Sequence, residues 1–396
     1  MTDARRVVLV RAVRGFADGF VSVFLARYLL SLGFSPFRVG VIVTGTLVGS
    51  AALTLMIGLF GHRVGVRVLL LASCALMLLT GVGFLTVESF VPLLVIAVVG
   101  TLNPSSGDVS VFLPTEQAFL ATHARGQDRT RLYALYNVGG NLAGALGALA
   151  TAAVTGRVGF VVYIVAAGIA AAVYAGLPRD RPPPTARVKP LAHSRRVVIE
   201  LAALFSLDSA GGGLVVTSLL VLWLDLRFGL ARETTGAVFF ALAILAALSQ
   251  LLAPRLARRV GLVRTMVFTH LPANAFLVLA AISPYSWLAV SLLMLRASLS
   301  QMDVPARQAL VMAVVRPEER PAAASVTNVP RSLATAATPA LAGWFLANGH
   351  LAAPLVIAGV AKGAYDLLFL WRFRGVPVDD DVEVEVLGEP EADQVS

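Results

Sequence analysis

The chain has 396 residues, of which 57% are hydrophobic and only 14% charged, against about 25% charged in a typical soluble domain. Length alone would allow two soluble domains, but this composition excludes them and points to a chain that crosses a membrane many times. The net charge of +9 does not indicate nucleic acid, because the basic residues, nearly all Arg, lie in short clusters between apolar runs and eight of the 23 acids fall between Asp379 and Asp393.

The first apolar run, 12–32, carries Asp18 and Arg27 and opens a series of similar segments, so it reads as a span and not as a cleaved leader. A span needs about 20 apolar residues to cross the hydrocarbon. Twelve are predicted, at 12–32, 38–60, 66–86, 91–121, 132–154, 158–177, 198–224, 233–256, 262–282, 286–315, 323–347 and 352–373. The fourth and tenth exceed the need and are expected to tilt or to project past the lipid. The single cysteine, Cys74, lies in an apolar run, so no disulfide framework or thiolate metal cluster is expected.

The longest hydrophilic break, 178–196, is basic and proline-rich and reads as a linker between a first half, 1–177, and a second, 197–375. Residues 376–396 form an acidic tail expected to be disordered. Arg and Lys gather on the side of the N-terminus and the linker, while the other side holds only Arg38, Arg157, Arg227 and Arg232. That bias predicts a multi-pass protein of the cytoplasmic membrane with both termini cytoplasmic.

The two halves repeat weakly at an offset of about 191 residues. Pro114-Thr115-Glu116-Gln117 is answered by Pro305-Ala306-Arg307-Gln308, Asn137-Val138 by Asn328-Val329, Asp18 by Asp208, and Asp108 loosely by Asp303. The loop His62-Arg63-Val64-Gly65-Val66-Arg67 is answered by Arg258-Arg259-Val260-Gly261-Leu262-Val263-Arg264. A parallel duplication of a six-span unit predicts two bundles around a central site.

With this span count, this repeat and this loop, the chain resembles the major facilitator superfamily over about residues 5–375. Gly58, Arg63, Gly65 and Arg67 keep their places in a loop similar to the family's signature, while His62 stands where the family has Asp. The resemblance implies an all-α fold of twelve transmembrane helices in two six-helix bundles. It also implies a latching role for that loop on the cytoplasmic side, which a His would weaken or make pH-sensitive. The fifth span has Gly139, Gly140, Gly144 and Gly147 but lacks the proline of the family's antiport pattern. These glycines are read mainly as close helix packing.

Ionisable groups inside spans are costly and tend to face the interior or a water-filled path. Asp18, Asp108, Asp208 and Asp303 are therefore candidates for proton coupling or transport, with structural pairing, of Asp18 with Arg14 or Arg27 for example, as the bland alternative. Asn103 and Pro104 lie in the most polar stretch of any span. Glu116 and Arg307, equivalent but opposite in sign, either gate the path between the halves or pair within their own halves. Phe20, Asn137, Asn328 and Arg331 complete the cavity or gate candidates, Asn137 and Asn328 with helix bridging as their structural reading. His270 and Asn274, one turn apart in span nine, are placed away from any site, because that span is peripheral in the fold the chain resembles.

No phosphate-binding loop, zinc spacing or convincing catalytic set is present, so an enzyme and a self-contained ATP-driven pump are not expected. The expected function is secondary active transport of a small organic compound by alternating access, with proton-coupled efflux first. Uptake or export of a nutrient, an organic anion or a divalent metal ion comes second, and a non-transporting receptor is a minor alternative. The expected partners are the small-molecule substrate, protons and membrane lipids, with no cofactor, no resident metal and no nucleic acid, in a monomer. The Arg-, Ala- and Gly-rich, Lys-poor usage suggests a GC-rich prokaryote.

Overall fold

The structure is a computed structural model that describes residues 3–60, 63–105, 110–123, 126–178, 194–315 and 319–373. The linker from 179 to 193, His62, Asp108 and the acidic tail lie outside the described residues. The sequence folds into α1 (Asp3–Ser31), α2 (Pro36–Phe60), α3 (Val66–Thr86), α4 (Phe90–Val99), α5 (Leu113–His123), α6 (Gly126–Ala150), α7 (Gly159–Ala175) and α8 (Arg195–Leu214). It continues through α9 (Thr217–Phe228), α10 (Arg232–Val260), α11 (Leu262–Ile282), α12 (Ser286–Ser300), α13 (Asp303–Ala313), α14 (Arg320–Ala337), α15 (Pro339–Ala347) and α16 (Ala353–Phe373). Among the described residues seven helices, α2, α3, α7, α8, α10, α11 and α16, are long and apolar enough to cross a membrane. The fold is an all-α, polytopic membrane fold. Apolar side chains such as Leu79, Val91, Val95 and Trp371 stand exposed on its outside, as a lipid-facing surface requires.

The two longest predicted spans do not tilt or project as single helices; each breaks. In the fourth, α4 stops at Val99 and Gly100 takes an extended conformation. Asn103 Oδ1 then accepts from Ser105 N at 3.1 Å and Ser105 Oγ at 2.9 Å. A side chain that bonds nearby backbone competes with helix, and Pro104 has no N–H to continue one. In the tenth span the helix lapses at Gln301 and Met302 and resumes at Asp303. The seventh lapses at Val215 and Val216, just past Gly211-Gly212-Gly213, and the eleventh restarts at Pro339.

Backbone freed inside a membrane must find partners within the protein. The breaks in the fourth and seventh spans serve each other. Pro104 O accepts from Ser218 N at 3.2 Å. The Ser218 hydroxyl lies 3.1 Å from the same carbonyl and 2.8 Å from Ser22 O on α1. Here the first half of the sequence meets the second.

Within the first half α1 lies against α6 and α7, and α3 against α7; in the second α8 lies against α14 and α16, and α11 against α16 and α12. Small residues set the α1–α6 distance. A Cβ on Gly15 would run into Gly140 O, one on Gly19 into Gly144 O, and one on Gly147 into Phe16 O. Gly139 is the exception to the packing expectation, since a Cβ there meets nothing within 4 Å. Between the halves α2 packs on α14 and α15, α6 on α10, and α1 on α9. At the end of the molecule away from the N-terminus, Gly40 of α2 and Gly343 of α15 approach so closely that a Cβ on either would stand 3.0 Å from the other's Cα.

Candidate functional site

The central helices α1 and α8 each carry a buried ionic cluster. In the first half, Arg14 of α1 pairs with Glu116 of α5 at 3.1 Å, and both are buried. The hydroxyls of Tyr136 on α6 and Tyr174 on α7 donate to the same carboxylate. Glu116 thus joins four helices. Arg14 lies over the Phe112 ring at 3.8 Å and Arg11 over the Tyr136 ring at 5.4 Å. A buried charge is tolerable when it is paired and its remaining bonds are filled, and Glu116 meets both conditions.

Asp18 lies one turn further along α1 and is 8% exposed. Arg14, Arg11 and Glu116 surround it and the Asn103 amide faces its carboxylate, yet among the described residues no cation comes within ion-pair distance of it. Arg27, the other candidate mate for Asp18, is turned to Asp225 of α9 at 2.9 Å.

In the second half, Asp208 of α8 accepts from Lys362 Nζ of α16 at 2.6 Å and from Arg307 of α13 at 3.3 Å. Arg307 also meets Asp303 at 3.4 Å. His270 of α11 places Nε2 3.7 Å from Asp208 and Nδ1 2.9 Å from Asp366 of α16. Asn274 donates to Asp366 at 2.9 Å. Beside this cluster Arg331 of α14 donates to Ser209 Oγ at 3.1 Å.

The equivalent residues Glu116 and Arg307 do not meet across the halves; each pairs within its own. The polarity is exchanged: the base lies on α1 and the acid on α5 in one half, the acid on α8 and the base on α13 in the other. Tyr174 and Tyr365 also match at the repeat offset. Tyr174 finds the acid, whereas Tyr365, in the half with the base at that place, is 1% exposed with an unpartnered hydroxyl.

The other sequence candidates scatter. Phe20 is fully buried and stacks on Phe24 at 5.2 Å, inside the packing of the first half and not on a cavity wall. Asn137 and Asn328 are exposed on α6 and α14, Asn328 accepts at 3.5 Å from Arg331 on its own helix, and among the described residues neither bridges to another helix. Gly58 lies in the last turn of α2, Arg63 is exposed beside the Phe60 ring, Gly65 caps α3 and Arg67 is half-buried in its first turn. Lys362, Asp366, His270 and Asn274 were not among the sequence's site residues. The available signal was an ionisable pair, Lys362 and Asp366, four apart inside an apolar span, and Lys362 is one of only two lysines in the chain.

The sequence profile of the Major Facilitator Superfamily matches residues 7–296 and, again, 201–391. The chain belongs to the major facilitator superfamily. The two matches begin at a spacing close to the repeat offset, as a duplicated superfamily member would give. An uncharacterized membrane protein of Saccharomyces cerevisiae is 24% identical over 413 residues, covering 92% of each chain. Among solved structures the fold is similar to that of the D-xylose-proton symporter, with a TM-score of 0.76 at 15% identity over 95% of this chain and 99% of that one. It is also similar to the nucleoside transporter NupG, with 0.73 at 12% over 94% and 100%. As a superfamily member the protein is a multi-pass secondary active transporter and not an enzyme.

Proposed function

We propose that this transporter moves a small organic compound by alternating access between two six-helix bundles, 1–177 and 197–375, twelve spans in all, coupled to protons and working first as an exporter. The observation that carries the proton reading is Asp18. It is a carboxylate buried in a central helix, within electrostatic reach of two arginines but bonded to neither. A buried charge with no counter-ion in contact is expensive. A proton removes that cost, and a change in the water around α1 as the halves rock would restore it. Asp303 lies where the tenth span resumes and is assigned a supporting place on the same path, as are Arg331 and Asn103 and, from the sequence alone, Asp108. An organic anion is the second reading for the substrate, supported by the buried, unpartnered Nε atoms of Arg11, Arg14 and Arg296.

The test is Asp18→Asn, which keeps the size and fixes the neutral state. In proteoliposomes under a pH gradient, uphill flux of a compound found by a thermal-shift and counterflow screen should be lost, with counterflow partly retained. Normal uphill flux in Asp18→Asn overturns the proton role. Failure of the variant to insert would place Asp18 in the structural network with Arg14.

A further inference from the structure

His270 is caught between two carboxylates. Its Nδ1 faces both Asp366 oxygens at 2.9 and 3.1 Å, and its Nε2 faces Asp208 at 3.7 Å. A neutral imidazole has one N–H and one lone pair, so it can serve only one of these acceptors and must turn its lone pair to the other. Asn274 Nδ2 also lies 3.2 Å from Nδ1, and donates one of its two N–H groups to Asp366 at 2.9 Å. One added proton makes the ring an imidazolium, hydrogen-bonded to Asp366 through Nδ1 and at ion-pair distance, 3.7 Å, from Asp208 through Nε2.

Among the described residues the contact cluster holds three carboxylates, Asp208, Asp303 and Asp366, and two permanent cations, Lys362 and Arg307, neither of which touches Asp366. The other groups nearby are Tyr365, whose ring lies 6.1 Å from His270, and Arg296 of α12, which reaches Asp208 electrostatically without contact. From α14, Arg331 bonds the neighbouring Ser209, and α10 brings arginines exposed at its end.

The duplication supplies an internal control. At the matching places the first half has Cys74 and Leu78 on α3 and Ala171 and Ala175 on α7. The same helix packing is therefore built there without these ionisable groups, and the fold does not require them. Among the described residues no group of side chains has metal-binding geometry, and two cations already occupy Asp208.

We propose that His270, between Asp366 and Asp208, is a proton-binding site of the second half, and that the bound proton ties α11 to both α8 and α16. Loss of the proton leaves one carboxylate facing a lone pair and frees Asp208 to Lys362 and Arg307 alone. Through α8 the change reaches Ser209 and Arg331, and α14 carries it to α2 of the other half. The use of this proton in transport rests on the proton-coupled reading above; the site itself does not.

The experiment is nitrogen NMR of the full chain in nanodiscs with 15N-labelled histidine, titrated between about pH 5 and 9, the range in which imidazoles change charge. At pH 7 one histidine should carry protons on both ring nitrogens, and that signal should be lost in His270→Gln. In Asp366→Asn the His270 ring should lose one N–H and show a single-proton tautomer at the same pH. Asp18→Asn should leave the signal unchanged, so failure of the Asp18 reading and failure of this one are separable. A wild-type His270 neutral across the whole range, or an unchanged ring in Asp366→Asn, overturns the proposal. The wild-type spectrum needs no variant to fold.

Discussion

Arg27 of α1 donates to Asp225 of α9 at 2.9 Å, and the same guanidinium reaches the Leu230 carbonyl and the Thr235 hydroxyl at 3.0 Å. One side chain of the first half thus holds three groups of the second at the end away from the N-terminus. Arg232 returns the contact by donating to Val154 O at 3.0 Å. The pair is partly exposed, 17% and 31%, so the ionic part contributes about 1 kcal/mol at most. Arg27→Ala should therefore shift the population toward opening at this end by roughly fivefold. A cysteine placed at Thr151, buried beside Gly236, should react correspondingly faster with a membrane-impermeant maleimide. An unchanged labelling rate would show that Arg27 is not a gate.

The second prediction concerns helix spacing. Gly19→Ala puts a methyl group into the Gly144 carbonyl, where only a backbone shift makes room. Overpacking of this kind costs about 1–3 kcal/mol. Thermal unfolding in detergent should fall by several degrees, while Gly139→Ala, with open space around it, should leave the midpoint unchanged. Equal effects from the two would sink the packing argument.

These glycines show how much was readable in advance. The glycine run in span five was legible because small residues at helical spacing have a direct packing meaning. The twofold repeat and the apolar spans were legible for the same reason, since each follows from local pattern. The breaks at Gly100–Ser105 and Val215–Val216 were only half legible: polar residues and proline marked where helix would fail, but the partner that makes failure affordable, Ser218 against Pro104, lies more than a hundred residues away. The second-half cluster was the least legible. His270 sits on a helix set aside because that span is peripheral in the fold the chain resembles, and the matching place is apolar in the first half. Distance in sequence hid the fact that Lys362, Asp366, His270 and Asp208 converge.

A third prediction tests Glu116. Glu116→Gln leaves the Arg14 guanidinium buried and uncompensated, and breaking a buried pair in this way costs about 3–5 kcal/mol. The double variant Arg14→Met, Glu116→Leu removes both charges and should recover part of that loss, stopping short of wild type because the Tyr136 and Tyr174 hydroxyls lose their acceptor. A double variant less stable than Glu116→Gln alone, in the same unfolding assay, would show that the pair is not the source of the cost.

The fourth prediction is topological. The arginine asymmetry predicts that both termini and the 178–196 linker are cytoplasmic. A cysteine at Thr185 should be protected from impermeant reagent in intact cells and become reactive once the membrane is permeabilised. Labelling in intact cells would reverse the assignment.

The exchanged polarity of the two ion pairs has a consequence for how such a chain changes over generations. Its halves descend from one repeated segment, and repeated segments are prone to recombine. A crossover that replaced the α5 stretch by its counterpart from α13 would set Arg307's guanidinium in the place of Glu116's carboxylate, facing Arg14. Arg14 would lose its carboxylate and face a second buried cation, with Asp303 carried in on the same stretch as that cation's own partner, and Tyr136 and Tyr174 would lose the acceptor they share. Such recombinants would be eliminated by misfolding. Once the signs were swapped, the two copies became unable to overwrite each other, and the second was free to acquire side chains such as His270 and Asp366 that the first never carries.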